Sequence, residues 1–271
     1  MSSLKIVDKL TPLFNSVKSK TGMDISNFKH TFLERRIHYR MRILGVDDYA
    51  DYLNLLSSNH DEPKMLYMAL SINVTKFFRD PSVWDFLDNI AIPELITASN
   101  LRSISAWSCA CASGEEPHSV SILLDEYYKQ KQITYSVFAT DISQKAIEHS
   151  KEGIYVDANL INVSSERMDE NFTKISDGKF QVKIAIRNKI TYQKIDMVKG
   201  IPKTFDIIFC RNVLIYYDKD THESLFKMFH SKLKSNGLLV LGQDESMIGT
   251  KGNQYFELLD VKNRVYKKIN V

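Results

Sequence analysis

After Pro93, the sequence alternates short runs of strand-favouring residues with longer stretches of helical pattern. The first two runs are ISAWSCA and YSVFAT, and each precedes a helical stretch, SVSILLDEYYKQ and SQKAIEHSKEG respectively. Two later runs, FDIIFC and LLVLGQ, enclose a predicted helix over about residues 220–233. Parallel strands need crossover connections of this length, which are usually helices. The alternation therefore predicts an α/β fold with a doubly wound, Rossmann-like parallel sheet.

The first third of the chain has a different pattern. From Ile25 to about Asn89, apolar residues recur at helical spacing, and Gly45 and Pro63 interrupt the helices. We therefore predict an all-helical N-terminal domain with its linker over residues 1–89, and the α/β domain over residues 90–271.

The alternation is interrupted between about residues 158 and 193. This stretch contains the polar helical piece SERMDENFTK, a turn at Asp177-Gly178 and the run FQVKIAIRNKITY. Apolar side chains at Phe180, Val182, Ile184 and Ile186 fall on one face with a period of two, and Asn188 offers a turn before a second short strand. We predict a small antiparallel β-subdomain inserted into the α/β domain.

Composition excludes several classes of protein. The chain has 36 Lys and Arg against 33 Asp and Glu, a formal net charge of +3, which is too balanced for binding nucleic acid through many phosphates. No apolar run approaches the roughly 20 residues of a membrane span, and the first residues do not resemble a signal peptide. Cys109, Cys111 and Cys210 lack zinc-ligand spacing, so we interpret them as buried free thiols without a metal. We expect a cytoplasmic monomer with no direct membrane insertion.

The turn after the first predicted strand has the features of a small-ligand site. Its residues run from Cys111 to Pro117, with small side chains that include Ala112, a flexible Gly114, and the pair Glu115-Glu116. In doubly wound sheets, a nucleotide-type cofactor binds beyond the carboxyl ends of the first strands. Two acidic residues at a helix start would repel a diphosphate, so the turn favours a cationic ligand such as a sulfonium that carries an amino group.

Three further strand ends carry candidate binding residues. Asp141-Ile142 follows the second strand, where a carboxylate can accept two hydrogen bonds from a ribose diol or can simply cap the next helix. The residues alone leave these two roles equally open. Asp196-Met197 and Arg211-Asn212 follow later strands, and an Arg-Asn pair at a strand end is not what core packing selects.

Five segments of the chain carry a resemblance to a known family. They are SINVTKFFRDPSVW, AWSCACASGEEPHSVSI, FATDISQKAIEHSKEGIY, FDIIFCRNVLIYYDKDTHESLF and KSNGLLVLGQDESM. Together they resemble the CheR family of chemoreceptor protein-glutamate O-methyltransferases, in one order from about Phe28 to Tyr266. The resemblance implies transfer of a methyl group from S-adenosyl-L-methionine to receptor glutamates, with S-adenosyl-L-homocysteine as product.

The resemblance also implies roles for individual residues. Asn73, Thr75 and Arg79 would reach the cofactor from the interdomain linker, and Arg211-Asn212 would close its pocket. Glu116 would hold the amino-acid or ribose end, Asp141 the ribose hydroxyls, and Asp196 and Met197 would flank the adenine. The family often has Asn followed by Leu where this chain has Asp196-Met197, so a backbone contact to adenine is expected there rather than an amide contact.

We assign catalysis to Arg79 and Tyr216, which would orient the acceptor carboxylate. A guanidinium can grip a carboxylate through two hydrogen bonds, and a phenol can fix one of its oxygens. The alternatives are a surface ion pair of Arg79 with Asp80 or Asp85, and a packed core ring for Tyr216. A glutamate carboxylate is already a nucleophile at neutral pH, so no general base is expected.

An arginine-rich helix at about residues 28–44 is the candidate surface for recognising the substrate. It contains Arg35, Arg36, Arg40 and Arg42, and Arg36 and Arg40 lie one turn apart. By the resemblance, this face docks on the acidic methylation helices of methyl-accepting chemotaxis receptors and recruits the enzyme to receptor arrays. The alternative is an ordinary solvated face. Receptor binding that is salt-sensitive and lost in an Arg36/Arg40 double alanine variant would support docking.

Two other functions stay open at this stage. The chain could be a CheR-like module that binds the cofactor or its product as a sensor or adaptor without methylating anything. It could also methylate a small molecule or a nucleic acid on the same fold, although Arg-Asn-Val-Leu stands where base methyltransferases carry Asn-Pro-Pro-Tyr. The short loop 175–179 favours an enzyme that does not bind a receptor tail peptide.

Overall fold

The structure is a computed structural model that describes the backbone of residues 2–22, 24–70 and 75–270, and their side chains from residue 11 onward. The chain forms two compact units. The first comprises residues 1–73 and 216–221, and the second comprises residues 74–215 and 222–271.

Four helices build the first unit: α1 Ser2–Thr21, α2 His30–Leu44, α3 Tyr49–Ser58 and α4 Glu62–Leu70. The core-facing positions of α2, among them Phe32, Leu33 and Ile37, are buried at helical spacing. Gly45 ends α2 in the left-handed conformation, as a C-terminal glycine commonly does. The prediction of an all-helical N-terminal domain is confirmed.

A distant segment, residues 216–218, joins the first unit through the backbone. The N–H of Lys29 donates to the carbonyl of Tyr216 at 2.8 Å, and the N–H of Asp218 donates to the carbonyl of Asn27 at 3.1 Å. The rings of Phe28 and Tyr217 stack with centroids 4.9 Å apart. Residues 216–218 thus pair with residues 27–29 as a short antiparallel bridge.

The second unit contains ten strands and most of the remaining helices. The strands are β1 Ser103–Cys109, β2 Thr134–Asp141, β3 Ile154–Val156, β4 Phe172–Ser176, β5 Lys179–Val182, β6 Ile190–Lys194, β7 Phe205–Cys210, β8 Leu233–Leu241, β9 Phe256–Asp260 and β10 Val265–Lys268. The helices are α5 Pro81–Phe86, α6 Ile92–Ser99, α7 Glu115–Lys131, α8 Gln144–Glu152, α9 Asp157–Leu160, α10 Ser165–Asn171, α11 Ile184–Arg187 and α12 Lys219–Lys232.

Seven strands form the main sheet in the order β6-β2-β1-β7-β8-β10-β9. The first five are parallel, and β10 and β9 add antiparallel at one edge. Strand β7 is buried along its whole length, as expected for a strand with helices on both faces. The predicted doubly wound, Rossmann-like sheet is confirmed.

A separate three-stranded antiparallel sheet has the order β3-β5-β4, so the predicted small antiparallel β-subdomain exists. Its strands lie between residues 154 and 182, whereas the prediction spanned about 158–193. Two details of that prediction are wrong. Residues 184–187 form α11 instead of continuing a strand, and β6 pairs with β2 in the main sheet. The chain must turn at α11 to return to the main sheet, which leaves Ile184 57% exposed while Ile186 is buried.

The boundary between the two units also differs from the predicted boundary at residue 89. Helix α5, the π-helical turn 87–91 and α6 follow one another, and their apolar residues Trp84, Leu87 and Leu95 belong to the core of the main sheet. Helical periodicity cannot reveal which core a helix joins. For this reason the sequence assigned residues 74–89 to the helical domain, while the compact units divide at Asn73 and Val74.

Candidate functional site

The order of strands reverses between β1 and β7, which are neighbours in the middle of the sheet. Doubly wound sheets bind ligands in the crevice outside the carboxyl ends of the strands at this point. Here the crevice is bordered by the turn after β1 (residues 110–114) and the segment after β7 (residues 211–215). The segment 75–80 reaches the same place through its contacts with Arg211.

The turn after β1 has an unusual backbone. Ala110, Ala112 and Gly114 all have positive φ, at 52°, 47° and 99°. A Cβ at Gly114 would lie 2.0 Å from Ser150 Oγ and 2.7 Å from the Tyr155 hydroxyl. Only glycine fits this position, because both the backbone conformation and the space exclude a side chain.

Replacing Gly114 by alanine is expected to destabilise the protein by about 2 kcal/mol or more, since a left-handed residue and an overpacked contact each cost about 1–3 kcal/mol. The matched control is Gly249→Ala, because Gly249 has φ +77° but open space around a Cβ. Thermal unfolding of both variants measures the difference. An equal loss of stability in the two variants would show that the lack of space around Gly114 does not contribute to the destabilisation.

Two adjacent glutamates at the start of α7 point to different partners. The carboxylate of Glu116 accepts from Ser108 Oγ at 2.7 Å and lies 3.9 Å from an Arg211 nitrogen. Glu115 instead accepts from Ser113 Oγ and from Asn159 Nδ2 in α9. Successive helical residues are about 100° apart, so the two side chains point in different directions, and Glu116 is the one that faces Arg211.

Burial raises the pKa of the Glu116 carboxyl, while the Arg211 cation and the hydrogen bond from Ser108 oppose that rise. The Arg79 cation lowers the same pKa by a smaller amount.

Arg211 is the central cation of the crevice, with its side chain only 2% exposed. One of its terminal nitrogens donates to Asp80 Oδ2 at 2.8 Å and to the Arg79 carbonyl at 2.9 Å. The same carbonyl accepts from Trp84 Nε1 at 2.8 Å. These bonds attach the segment before α5 to the end of β7. Asp80, one of the two acids considered as an Arg79 partner, is paired with Arg211.

The Asp141 carboxylate at the end of β2 is buried and bridges two loops. One oxygen accepts from the N–H of Ala112 at 2.9 Å, and the other accepts from the N–H of Ser143 at 2.8 Å. Burial raises its pKa, and these backbone hydrogen bonds oppose the rise. Ser143, with its Oγ accepting from the N–H of Ala146, is the helix cap of α8. A carboxylate has about four acceptor sites, so capping the loop does not exclude binding a ligand.

Asp196 and Met197 follow β6, the neighbour of β2 on the same side of the sheet. Asp196 caps the short 3₁₀ helix 197–199 by accepting from the N–H of Val198 at 3.1 Å, and Met197 is buried. Ile142 and Thr75 are half-buried. Asn73 lies outside the residues that the structure describes.

Tyr216 belongs to the first unit, where its ring packs on Phe32 with centroids 4.8 Å apart. The aromatic packing proposed as the alternative for Tyr216 is thus present. Its role with Arg79 stays a prediction.

The four predicted recognition arginines of α2 do not share one surface. Arg35 and Arg42 are exposed, and Arg36 is half-buried with its guanidinium 5.5 Å from the centre of the Phe32 ring. Arg40 is buried, and the prediction that it belongs to an exposed basic face is wrong. It forms a two-pronged ion pair with Glu62 of α4 at 2.6 and 3.0 Å, because its helix position faces the core between α2 and α4.

All three cysteines are buried free thiols, as predicted. Burial is the largest cause that raises the pKa of Cys109 and Cys111, and the nearby carboxylates add to it. Such thiols are poor nucleophiles at neutral pH.

Sequence reasoning missed three residues of the crevice: Ser108, Asp80 and Glu245. Glu245 is buried and accepts from backbone N–H groups of both Asn212 and Gly242. Its position four residues after the end of β8 was the available signal, because polar residues that follow parallel strands meet at one edge of the sheet.

Comparison with known proteins identifies the family of the chain. The model of the CheR methyltransferase SAM-binding domain matches residues 73–265, and that of the CheR all-alpha domain matches residues 8–71. The chain belongs to the CheR methyltransferase family. It is therefore an S-adenosylmethionine-dependent methyltransferase.

Two relatives illustrate how much of the CheR chain is shared. The chemotaxis protein methyltransferase of Borreliella burgdorferi is 32% identical over 92% of this chain and 91% of its own. The chemotaxis protein methyltransferase of Salmonella typhimurium is 30% identical over 85% of this chain and 81% of its own. A magnesium protoporphyrin IX methyltransferase from Synechocystis overlaps with a TM-score of 0.33 at 18% identity, over 58% of this chain and 54% of that one.

The crevice of this CheR chain has a donor and acceptor set that fits S-adenosylmethionine. Glu116 and Asp141 supply carboxylates for an ammonium group and for hydroxyls. Arg211 Nε is buried without a hydrogen-bond partner among the described residues, which leaves a donor for an acceptor atom of a ligand.

Within the described ranges, no helix is both long and apolar enough to cross a bilayer.

Proposed function

We propose that this chain methylates glutamate side chains of bacterial chemoreceptors and so acts in chemotactic adaptation. The observation that carries the proposal is a CheR crevice with an acidic turn and a buried arginine bonded to the Arg79 backbone, in a chain whose relatives are named chemotaxis protein methyltransferases. A cation can orient a carboxylate acceptor through hydrogen bonds, and Arg79 is the residue that we propose for this role.

Glu116, Asp141, Asp196-Met197 and Arg211-Asn212 would hold the cofactor. Bound S-adenosylmethionine supplies a methyl group on a positively charged sulfur, and its transfer to a carboxylate oxygen leaves a methyl ester and a neutral thioether. Both opposite charges disappear in this step, so strong stabilisation of the carboxylate would slow the reaction. The protein must mainly align the reactants and exclude water.

Arg79 would orient the acceptor carboxylate through hydrogen bonds, and Tyr216 would fix one of its oxygens. A glutamate carboxylate is ionised at neutral pH, so no residue has to remove a proton. Asp80 and Trp84 would support Arg79 indirectly, because both hold the segment of which it is part.

The exposed face of α2 fits an acidic partner helix. Arg35, Tyr39, Arg42 and Ile43 recur at helical spacing, and Tyr39 and Ile43 are 49% and 54% exposed. Apolar contact area beside two arginines suits a surface that recognises carboxylates on an amphipathic receptor helix. We propose that this face, without Arg40, docks the receptor.

The test is to incubate the protein with radiolabelled S-adenosylmethionine and membranes that contain a chemoreceptor from the same organism. Label should appear on the receptor and be released by mild base as methanol, as a carboxyl methyl ester requires. A receptor with alanine at its methylated glutamates is the control. Label that resists base, or binding of the cofactor without any transfer, would contradict the proposal, and the latter result would support a sensor or adaptor module.

A further inference from the structure

The turn after β8 ends in a buried carboxylate that reaches across to the neighbouring strand. Glu245 is 3% exposed, and its N–H donates back to the Gly242 carbonyl at 2.9 Å. Its Oε2 accepts from the N–H of Gly242 at 2.7 Å, which closes the turn on itself. The carboxylate is therefore held within its own loop.

The same carboxylate also binds the segment that follows β7. Oε2 accepts from the N–H of Asn212 at 2.9 Å, and Oε1 accepts from the N–H of Ile215 at 3.3 Å. Asn212 has φ +58°, a left-handed conformation that is uncommon for non-glycine residues, although asparagine adopts it more readily than most. The Glu245 carboxylate therefore accepts hydrogen bonds from backbone N–H groups on both sides of the bend that follows Arg211.

The two loops approach as closely as their backbones allow. A Cβ at Gly242 would lie 2.8 Å from the Asn212 nitrogen and 2.9 Å from its Nδ2. Contacts below 3.0 Å require atoms to shift, so Gly242 and Glu245 together determine where Asn212 lies. Asn212 follows Arg211, and the Arg211 guanidinium faces Glu116 in the crevice.

The charge of Glu245 acts on the crevice as well. It raises the pKa of the Glu116 carboxyl, and it favours the charged form of Arg211 against the effect of burial. Burial raises the pKa of Glu245 itself, and the backbone N–H groups that it accepts oppose this rise. Burying a carboxylate costs free energy unless several hydrogen-bond donors satisfy it, and here the backbone N–H groups do so.

We propose that Glu245 is a positioning residue for methyl transfer. Its carboxylate holds Arg211 and Asn212 in the geometry that binds the methyl donor, and it does so through the backbone without being part of the reacting atoms. This inference depends on the use of S-adenosylmethionine but not on the identity of the methyl acceptor.

The experiment compares Glu245→Gln with Asp206→Asn. Asp206 is a matched control because it is also buried, lies near the amino end of β7, whose carboxyl-end segment Glu245 contacts, and accepts from the N–H of Ser105 at 2.8 Å. Thermal unfolding reports folding, and calorimetric titration with S-adenosylhomocysteine reports the site without needing any acceptor. Both variants should unfold at a lower temperature than the unaltered protein.

Only Glu245→Gln should weaken the binding of S-adenosylhomocysteine, by about tenfold or more, because an amide nitrogen cannot accept from a backbone N–H. Glu245→Asp, which keeps the charge but shortens the side chain, should weaken binding by less than Glu245→Gln but by more than about twofold. If Glu245→Gln does not fold, the binding measured for Glu245→Asp decides whether Glu245 is a positioning residue. Binding within about twofold of the unaltered protein in a folded Glu245 variant, or equal weakening by Asp206→Asn, would overturn the proposal.

Discussion

Replacing Arg79 by alanine is expected to lower kcat/KM for methyl transfer by about two to four orders of magnitude while the protein stays folded. A guanidinium that orients the acceptor contributes through alignment, and the loss of alignment has effects of this size. Arg79 lies near the crevice, where its charge lowers the pKa of Glu116. The measurement is steady-state methylation with a fixed receptor preparation, together with circular dichroism to verify the fold.

Two further variants are needed to interpret the methylation rate of Arg79→Ala. Arg79→Lys keeps the charge but loses the planar fork, so it should recover only part of the activity. Arg102→Ala removes an exposed arginine just before β1, at the opposite end of the sheet, and should leave turnover unchanged. Near-normal turnover of a folded Arg79→Ala protein would remove this residue from the mechanism.

Replacing Arg40 by alanine is expected to destabilise the helical unit by about 3–5 kcal/mol, because the Glu62 carboxylate would stay buried without its counter-ion. Glu62 is 3% exposed and has the Tyr52 hydroxyl, at 2.8 Å, as its other hydrogen-bond donor in the buried cluster. Denaturant unfolding followed by far-UV circular dichroism measures the loss. Hydrogen bonding to Glu62 is also the main cause that raises the pKa of Arg40, so this arginine stays charged.

The control for Arg40 is Arg35→Ala on the same helix, which should change the free energy of unfolding by less than about 0.5 kcal/mol since Arg35 is exposed. A double variant, Arg40→Met with Glu62→Gln, should be more stable than Arg40→Ala because no unpaired charge is left in the core. A wild-type unfolding curve for Arg40→Ala would contradict the ion-pair argument.

The Arg40 result changes how receptor docking should be tested. In an Arg36/Arg40 double alanine variant, lost receptor binding would not distinguish the loss of a docking surface from the expected destabilisation of the helical unit. Arg35→Ala combined with Arg42→Ala removes two exposed charges from α2 and should keep the unit folded. Salt-sensitive receptor binding is expected to weaken in that variant.

Much of the architecture could be predicted from local pattern. Strands β1, β2, β7 and β8 appear as apolar runs among helical stretches, and that spacing is typical of parallel pairing with crossovers. The small sheet was found from its turn at Asp177-Gly178. The predicted extent of this sheet was wrong because an apolar period of two over residues 180–186 fits two structures. It fits a continuous strand and also a strand that ends in a turn of helix.

The sequence by itself determined the type of sheet, the positions of most strand ends and, through motifs in one order, the CheR family. These properties depend on residues near one another in the chain, where periodicity and turn chemistry act. Only the tertiary structure decided that Arg40 is buried against Glu62 and that Glu245 holds the bend at Asn212. Each of these depends on which distant group a side chain meets, and burial then sets whether its charge is solvated or paired.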